Sequence, residues 1–339
     1  MSNYAKESVW PRRRFLSGTS ALGAASLLAW PEISRAEPPP EIRKIRIVHV
    51  PVTCLAPQYL AEELLRLEGF KEVEYKELAS LAADIVADGQ ADMSMWGAPE
   101  TVALMDENKS IVSLAGIHAG CWEVFAHDNV RTIRKIKGKR VAVIGMRSQD
   151  HILLSSMLAY VGIDPRKDIN WIKGGTPADT ERLFVEGHAD AFVAFPPQPQ
   201  ELRARKVGHV IVNTVEDRPW SQYFCCLVIA NRGFVQKYPV AAKRALRAYL
   251  KAADICANEP ERAARYMVEK GYESRLNIAL EVIKSLPYQR WREANPEDTI
   301  RFHALRLHEV GMIKTHPNKL IAQGSDWRFL NELQKELKA

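Results

Sequence analysis

Long hydrophobic runs are missing from the sequence after residue 36. No later segment approaches the ~20 consecutive apolar residues that a membrane-spanning helix needs, so the rest of the 339-residue chain is not predicted to cross a bilayer. Long basic runs are missing as well, because the formal net charge is only +6 and the densest basic cluster is Arg203–Lys206. Proteins that bind nucleic acid usually carry a basic stripe or patch. A nucleic-acid partner is therefore excluded.

Cysteine is scarce, and its spacing dictates neither a disulfide framework nor a metal site. The count is odd, so the cysteines are interpreted as buried small apolar side chains, with Cys54–Cys121 as the disulfide to check first. Together with His118 and His127, these two cysteines raise the question of a metal site, but no pair has zinc-site spacing. No metal and no cofactor is predicted. The five cysteines are Cys54, Cys121, Cys225, Cys226 and Cys256.

The first 36 residues have the features of an export signal. Arg12–Leu16 (RRRFL) matches the twin-arginine pattern, and a weakly apolar stretch follows from Ser17 to Trp30. Ser34 and Ala36 then place small residues at the spacing of a cleavage site. We predict twin-arginine export to the periplasm with cleavage after Ala36, followed by a proline-rich linker over 37–43.

One segment of the chain occurs twice. Ala83–Pro99 and Glu181–Pro197 each contain a helix end, a glycine, an Ala-Asp pair, and a short apolar strand that runs into an aromatic residue and a proline. Two copies of one unit predict two similar α/β lobes, and ligands of open α/β sheets bind outside the carboxyl ends of the strands. Trp96 and Phe195 are therefore predicted to face one cleft. The alternative is that the repeated residues are ordinary punctuation of an αβ loop.

The alternation of strands and helices predicts an α/β fold with mostly parallel sheets. Lobe I is predicted over 44–128 and 216–339, and lobe II over 129–215 as an insertion. Two apolar extended runs, Cys121–His127 and Phe224–Ala230, are predicted to cross between the lobes as a hinge. Beyond them, helical periodicity and prolines at helix starts predict helices over 239–257, 260–270, 276–286 and 296–310.

Five segments of the chain resemble a known family: Pro57–Gly69, Gly89–Asp92, Ile133–Gly145, Gly187–Asp190 and Asn231–Tyr238. Their order is similar to that in the periplasmic substrate-binding proteins of ABC importers in the nitrate/sulfonate/taurine group. These proteins share a fold with binding proteins for thiamine pyrimidine precursors. The resemblance implies a bilobal type II periplasmic-binding-protein fold with two crossing hinge strands. It also implies a monomeric, non-enzymatic receptor that holds a small-molecule ligand in its cleft and delivers it to a membrane permease.

The family's pattern, carried over position by position, implies five ligand-contact regions. Two of them depart from the pattern. Where sulfonate binders show a Lys-Gly-Ser-Ser-like turn, this chain has Met146–Asp150, and where they often show Trp-Asp-Pro, it has Phe195–Pro197 with no acid. The implied contact residues are Thr53, Cys54, Trp96, Gly97, Ala98, His118, Trp122, Arg147, Ser148, Gln149, Phe195 and Pro196.

The helix start after Gly145 has the chemistry of an anion site. Its free N–H groups and the helix dipole favour an anion, and Arg147 would add a bidentate contact. The alternative is that Ser148 caps the helix while Arg147 points to solvent. Asp150 in the first turn would repel an anion, so both interpretations stay open.

Three aromatic residues, Trp96, Trp122 and Phe195, would supply flat apolar walls. Such walls suit a planar organic ligand better than a small inorganic anion. The predicted ligand is therefore a small organic anion or a planar organic molecule. Two other functions stay open: an enzyme on the same fold, similar to the pyrimidine-precursor synthases, and a periplasmic sensor input that would share the cleft.

Overall fold

The computed structural model describes residues 37–50, 52–77 and 82–337. The predicted twin-arginine signal peptide, residues 1–36, lies outside the described residues. The fold belongs to the compact unit that begins at Pro39. Among the described helices, none combines the length and the apolar character that a bilayer crossing demands.

Two five-stranded sheets with the same strand pattern form the framework. The first has the order β2-β1-β3-β10-β4 and the second β7-β6-β8-β5-β9, and the fourth strand in each order is antiparallel to both of its neighbours. In each sheet the antiparallel strand is the one that the chain forms directly after leaving the other sheet. β5 follows β4 of the first sheet, and β10 follows β9 of the second. In chain order the strands are β1 (Lys44–Val48), β2 (Glu72–Lys76), β3 (Met93–Gly97), β4 (Ile111–Ala119), β5 (Glu123–Ala126), β6 (Arg140–Val143), β7 (Asn170–Lys173), β8 (Ala191–Ala194), β9 (His209–Asn213) and β10 (Phe224–Asn231).

Helices surround both sheets, and many of them begin with proline, whose fixed φ suits the first helical turn. The four helices predicted after residue 238 are all present with ends within one residue of those predicted. In chain order the helices are α1 (Ala56–Leu67), α2 (Ala82–Ala87), α3 (Ala98–Asp106), α4 (Gln149–Tyr160), α5 (Pro177–Val185), α6 (Gln198–Arg205), α7 (Arg232–Lys237), α8 (Pro239–Asn258), α9 (Pro260–Glu269), α10 (Leu276–Ser285), α11 (Pro296–Glu309), α12 (Pro317–Gly324) and α13 (Arg328–Glu336).

We call residues 37–119 and 224–337 the first half of the molecule, and residues 123–213 the second half. The buried side chains of the first half continue without a break into α4 and the inner strands of the second half, where Leu154, Val141 and Val124 are fully buried. A smaller apolar cluster around Phe184 and Phe192 lies within the second half alone. The two halves are therefore packed together through one shared core.

The repeated Ala-Asp pair has the same structural role in both halves. Asp92 accepts a hydrogen bond from the backbone amide of Arg46 at 2.8 Å and pairs with its guanidinium group at 2.6 Å. Asp190 accepts from the amide of Arg140 at 2.9 Å and pairs with that guanidinium group at 3.0 Å. Each aspartate thus ties the loop before one strand to the strand in the second position of its own sheet, β1 or β6. The repeat is therefore a structural unit, and its residues do more than form a helix C-cap and a turn.

The chain crosses between the halves at places that differ from the predicted ones. The first crossing is Gly120–Trp122, and the second covers 214–223. β5, which the predicted boundary at residue 128 assigns to lobe I, pairs with β8 and β9 in the second sheet. An apolar alternation identifies a strand but not the sheet that it joins, which explains the difference.

The two crossings are hydrogen-bonded to each other. The amide of Trp122 donates to Thr214 Oγ1 at 3.0 Å, and the amide of Thr214 donates to the Trp122 carbonyl at 3.0 Å. Beside them Gly120 has a φ of +69°, and a Cβ at this position would lie 2.6 Å from Val215 Cα. Only glycine meets both requirements, so it holds the two crossings in close contact.

Candidate functional site

Gln149, the first residue of α4, reaches from the second half to the end of β3 in the first half. With its amide oriented to satisfy both groups, its oxygen accepts from Trp96 Nε1 at 3.1 Å and from the Gly97 amide at 3.0 Å. Trp96 is 8% exposed. The structure therefore brings together three predicted contact residues, from two different regions of the sequence, where strand ends of both halves meet.

Glu100 belongs to the same site, although it was not among the predicted contact residues. Its Oε2 accepts from Trp96 Nε1 at 2.7 Å, whereas its Oε1 is buried with no partner among the described residues. Burial raises the pKa of Glu100 to about 8, an effect that the Trp96 hydrogen bond opposes and the charges of Asp84 and Asp150 reinforce. At neutral pH the carboxyl group is therefore mostly protonated and can donate as well as accept a hydrogen bond.

The start of α4 satisfies its own polar groups. Ser148 lies at the N-cap position, but its hydroxyl donates to the Gly145 carbonyl at 2.6 Å instead of capping the helix. Asp150 accepts from the Ile144 amide at 2.8 Å. Burial raises the pKa of Asp150, against the lowering effect of its hydrogen bonds with Ser148 and with the Ile144 amide. Arg147 is 65% exposed and forms an ion pair with Glu107 of the first half. We call the surface along which the two halves meet the seam, so this ion pair crosses the seam.

Two aromatic residues predicted to line the cleft are in contact. The rings of Trp122 and Phe195 lie 5.2 Å apart and are tilted by 59°. The indole N–H of Trp122 donates to Cys225 Sγ at 2.9 Å, which fixes the ring at the first crossing. Pro196 beside Phe195 is buried. Trp122 and Phe195 therefore form an aromatic contact that is separate from the hydrogen bond between Trp96 and Gln149.

The halves are closed against each other along this seam. Ser156 in α4 hydrogen-bonds His303 in α11 at 3.0 Å, and Arg275 of the first half pairs with Glu201 of the second at 2.7 Å. A cavity of about 20 Å³, lined in part by Trp122, separates the halves beside the first crossing. Such a cavity holds about one water molecule. An organic ligand can therefore enter only after the halves separate or the seam side chains move.

The other predicted contact residues lie in the first half near the first crossing. Thr53 and Ala98 are buried, and Thr53 Oγ1 is 3.5 Å from Glu273 Oε2. Cys54 is buried, and its carbonyl accepts from Tyr288 Oη at 3.0 Å. The ring of Tyr288 also meets His118 edge-on at 5.2 Å.

Four residues far apart in the sequence converge next to this crossing. The ligating atoms of Cys54, His118, Cys121 and Cys226 all lie within 4.8 Å of one another. His127, which was considered with Cys54, His118 and Cys121 as a candidate metal ligand, lies elsewhere and stacks on Phe184. Burial lowers the pKa of His118, but the neighbouring Cys226 and Cys54 sulfur atoms outweigh burial and raise it to about 10.

Larger depressions occur on the outside of the molecule. One of them has a volume of about 540 Å³ and is lined in part by Lys109, Arg232 and Asp326. None of the predicted contact residues lines it. The site at the seam is therefore defined by convergent polar and aromatic groups rather than by an open hollow.

Comparisons with known proteins identify the fold. A family model described as "NMT1/THI5 like" matches residues 67–263. No curated protein sequence is significantly similar to the chain. Among solved structures, a protein from Bordetella bronchiseptica RB50 is similar with a TM-score of 0.71 at 17% identity, over 88% of this chain and 99% of that chain.

Two further similar structures belong to proteins that are named for the molecules they bind. The periplasmic nitrate-binding protein NrtA from Synechocystis PCC 6803 has a TM-score of 0.72 at 16% identity, over 89% of this chain and 90% of that chain. The alkanesulfonate-binding protein SsuA from Xanthomonas axonopodis pv. citri, bound to MOPS, has a TM-score of 0.69 at 15% identity, over 86% of this chain and 99% of that chain. At these identities the similarity shows the fold. It confirms the predicted bilobal α/β fold of the periplasmic binding proteins.

Proposed function

Because the chain belongs to the NMT1/THI5-like family, we propose that it is the solute-binding component of an ABC import system. It captures a small organic molecule between its two halves and delivers it to a membrane permease. The observation that carries the proposal is the contact of Gln149 with Trp96 and Gly97. This contact joins strand ends of both halves, where ligands of open α/β sheets bind.

The chemistry of the seam favours a planar organic ligand. Trp96, Trp122 and Phe195 offer flat apolar surfaces, and the indole N–H, the Gln149 amide and the neutral Glu100 carboxyl offer uncharged donors and acceptors. Polar groups of this kind fix the orientation of a ring in a mostly apolar site. A pyrimidine or another heterocycle meets these groups without an ionic partner.

An organic anion is the other ligand class that the sequence predicts. Its candidate counter-ion is Arg147, which is paired with Glu107 in this closed structure. An anion would therefore have to draw Arg147 away from a carboxylate. Because SsuA was solved with MOPS, MOPS is the direct probe of this class, and nitrate, for which NrtA is named, is the inorganic anion to compare with it.

Ligand binding is proposed to shift the population between open and closed arrangements. The crossings, joined through Trp122 and Thr214, form the pivot. In the open state Gln149 leaves Trp96 and Gly97, so that a ligand can take the place of Gln149 at the Gly97 amide and at the Trp96 indole N–H, which Gln149 shares with Glu100. The ligand then replaces Gln149 and contacts both halves, so closure around it is favoured by its differential affinity for the closed state.

The cellular context follows from the leader and the fold. The twin-arginine motif at Arg12–Leu16 and the small residues before Glu37 support export to the periplasm with cleavage after Ala36. The protein then acts there as a monomer and meets its permease at the inner membrane. Replacing Arg12 and Arg13 by lysine should stop export. The measured mass of the exported wild-type protein should be that of a chain whose first residue is Glu37.

The test of the proposed function is a binding experiment on exported protein. Native mass spectrometry should detect a small molecule that copurifies, and thermal-shift assays with pyrimidines, aromatic acids, sulfonates and nitrate should identify its class, because a ligand of the folded state raises Tm. Trp96→Phe should weaken binding by about tenfold through loss of one hydrogen bond. Trp171→Phe, on the edge strand β7, is the matched control. Equal affinities for both variants, or no ligand in any class, would refute the proposal.

A second candidate is an enzyme on the same fold, which the closeness of Cys54 to His118 favours. A thiol beside an imidazole is the arrangement of an activated nucleophile. The two functions differ in what happens to the bound molecule. A receptor releases its ligand unchanged in mass on denaturation, whereas an enzyme returns a product or retains a covalent adduct on Cys54.

A further inference from the structure

We propose that Cys54, His118, Cys121 and Cys226 form a binding site for one thiophilic divalent cation, with Zn²⁺ as the reference ion. The site lies at the base of the seam, where the loop after β1, the end of β4, the first crossing and β10 meet. The proposal concerns these four side chains and does not depend on which molecule binds between the halves. It rests on the convergence of their ligating atoms within 4.8 Å.

The donor set is one that zinc prefers. Three cysteine sulfurs and one histidine nitrogen make a Cys₃His set, which is typical of closed, four-coordinate zinc sites. In a tetrahedral site with Zn–S bonds of about 2.3 Å, neighbouring sulfurs lie about 3.8 Å apart. The four atoms therefore need to contract by only about 1 Å to reach coordination distances.

The orientation of His118 provides an independent observation. Its ring is fully buried, and Nδ1 faces the carbonyl of Ala119 at 3.4 Å. Nε2 has no hydrogen-bond partner among the described residues. A metal-bound histidine commonly donates its other N–H to a backbone carbonyl. The Ala119 carbonyl is positioned for that role, which leaves Nε2 as the nitrogen for the cation.

The backbone at Cys121 is held in an unusual conformation. Its φ of +118° lies in a region that residues with a side chain rarely adopt. A strained backbone conformation of this kind persists only where many surrounding contacts hold it in place, and it is often found at functional sites. Here it places the Cys121 sulfur, directly after the glycine of the first crossing, beside the sulfurs of Cys54 and Cys226.

Two cysteines, Cys225 and Cys256, lie outside this set, and Cys256 gives a matched control. Cys256 is buried in α8 and is not one of the four clustered residues. Cys225 is less suitable, because its sulfur lies 3.7 Å from Cys226 and accepts from Trp122. A Cys256→Ser variant therefore changes a buried thiol without changing the proposed donor set.

The experiment is a metal titration of the full exported chain, purified under reducing conditions and freed of metal with a chelator. We expect one Zn²⁺ per chain in competition with a chromophoric chelator. With Co²⁺ we expect thiolate-to-metal charge-transfer bands and the strong visible bands of tetrahedral coordination. Cys121→Ser and His118→Gln should each weaken zinc binding by at least about tenfold, whereas Cys256→Ser should bind like the wild type. Far-UV circular dichroism shows whether each variant is folded.

Several outcomes overturn the proposal. These are the absence of zinc binding by folded, reduced protein, an octahedral Co²⁺ spectrum, and unchanged affinity in folded Cys121→Ser. A Cys54–Cys121 disulfide in protein taken from the periplasm would also overturn it, because two ligands would then be consumed. Loss of ligand binding with zinc binding intact would instead refute the proposed transport function, so the two failures are distinguishable.

Discussion

Gln149 lies so close to Gly97 that a methyl group on Gly97 would overlap the end of the glutamine side chain. The two residues belong to different halves of the molecule, so this fit exists only while the halves are closed. A side chain at position 97 would therefore have to displace the end of Gln149 from its present place. Gly97 has a φ of −65°, which alanine adopts without strain, so the position can be tested by a small substitution.

Gly97→Ala should displace Gln149 and favour separation of the halves. The expected result is a larger radius of gyration for the ligand-free variant in small-angle X-ray scattering, with the fold retained. Gly145→Ala is the control, because a Cβ at Gly145 meets no atom within 4 Å. Identical scattering from the two variants would mean that the Gln149 contact does not hold the seam closed.

Glu100→Gln should change how stability depends on pH. The pKa of Glu100 is raised from 4.5 in the unfolded chain to about 8 in the folded protein. Between these values the folded state keeps a proton that the unfolded state has released, so rising pH favours unfolding. The contribution of Glu100 is fully present below about pH 4.5, falls as pH rises toward 8, and is constant above that.

The measurement is urea denaturation of the wild type and Glu100→Gln at pH 5, 7 and 9. Subtracting the two curves removes the titration of all other groups. The wild type should lose on the order of a few kcal/mol relative to Glu100→Gln between the lowest and highest pH. A difference that stays constant with pH would show that Glu100 does not titrate in this range.

Asp190→Asn should destabilise the second half. The Arg140 guanidinium group beside Asp190 holds the pKa of that carboxyl well below its usual range. The folded state thus favours the charged carboxylate, and this stability is present above the usual pKa and lost as pH falls. Hydrogen bonds to a charged group contribute roughly 1.5–3 kcal/mol, and the loss of free energy of unfolding should lie in that range.

Asp128→Asn is the control for this variant. Asp128 also pairs with an arginine, but its side chain is 86% exposed, and exposed pairs contribute roughly 0–1 kcal/mol. Chemical denaturation at neutral pH compares the two. If both variants lose the same small amount, the repeated aspartate is not an anchor of the fold.

Arg147→Ala separates the two ligand classes. If the ligand is an organic anion, the variant should bind it at least about tenfold more weakly, since a charge-assisted bond is lost, and Glu107→Gln should strengthen binding by freeing Arg147. Arg182→Ala, which removes an exposed arginine on α5, is the control. If the ligand is an uncharged ring, calorimetry should find all three variants equal to the wild type.

The sequence predicted the fold better than it predicted the connections between the halves. Periodicity and proline positions located the helices after residue 238, and the repeat located equivalent strands, because these signals are local. The sheet that β5 joins depends on pairing with β8 and β9, which are distant in the chain. No local pattern encodes that choice.

The seam and the thiol cluster were only partly predictable for the same reason. Trp96, Gly97 and Gln149 were each implied by resemblance, but their contact depends on how the halves close. Glu100 had one available signal, its position four residues after Trp96, which puts both on one face across a helix start. Cys226 joins Cys54 only through a long-range strand alignment, in which the register between β10 and β4 shifts at this residue.

The reciprocal hydrogen bonds between Trp122 and Thr214 also restrict how the molecule can move. Two separate linkers would let the halves slide, twist or swing in any combination. The two crossings are hydrogen-bonded side by side, and the Gly120 backbone packs against Val215, so we expect them to move together as one unit. We therefore expect the halves to rotate mainly about one axis, so that closing returns Gln149 to Gly97.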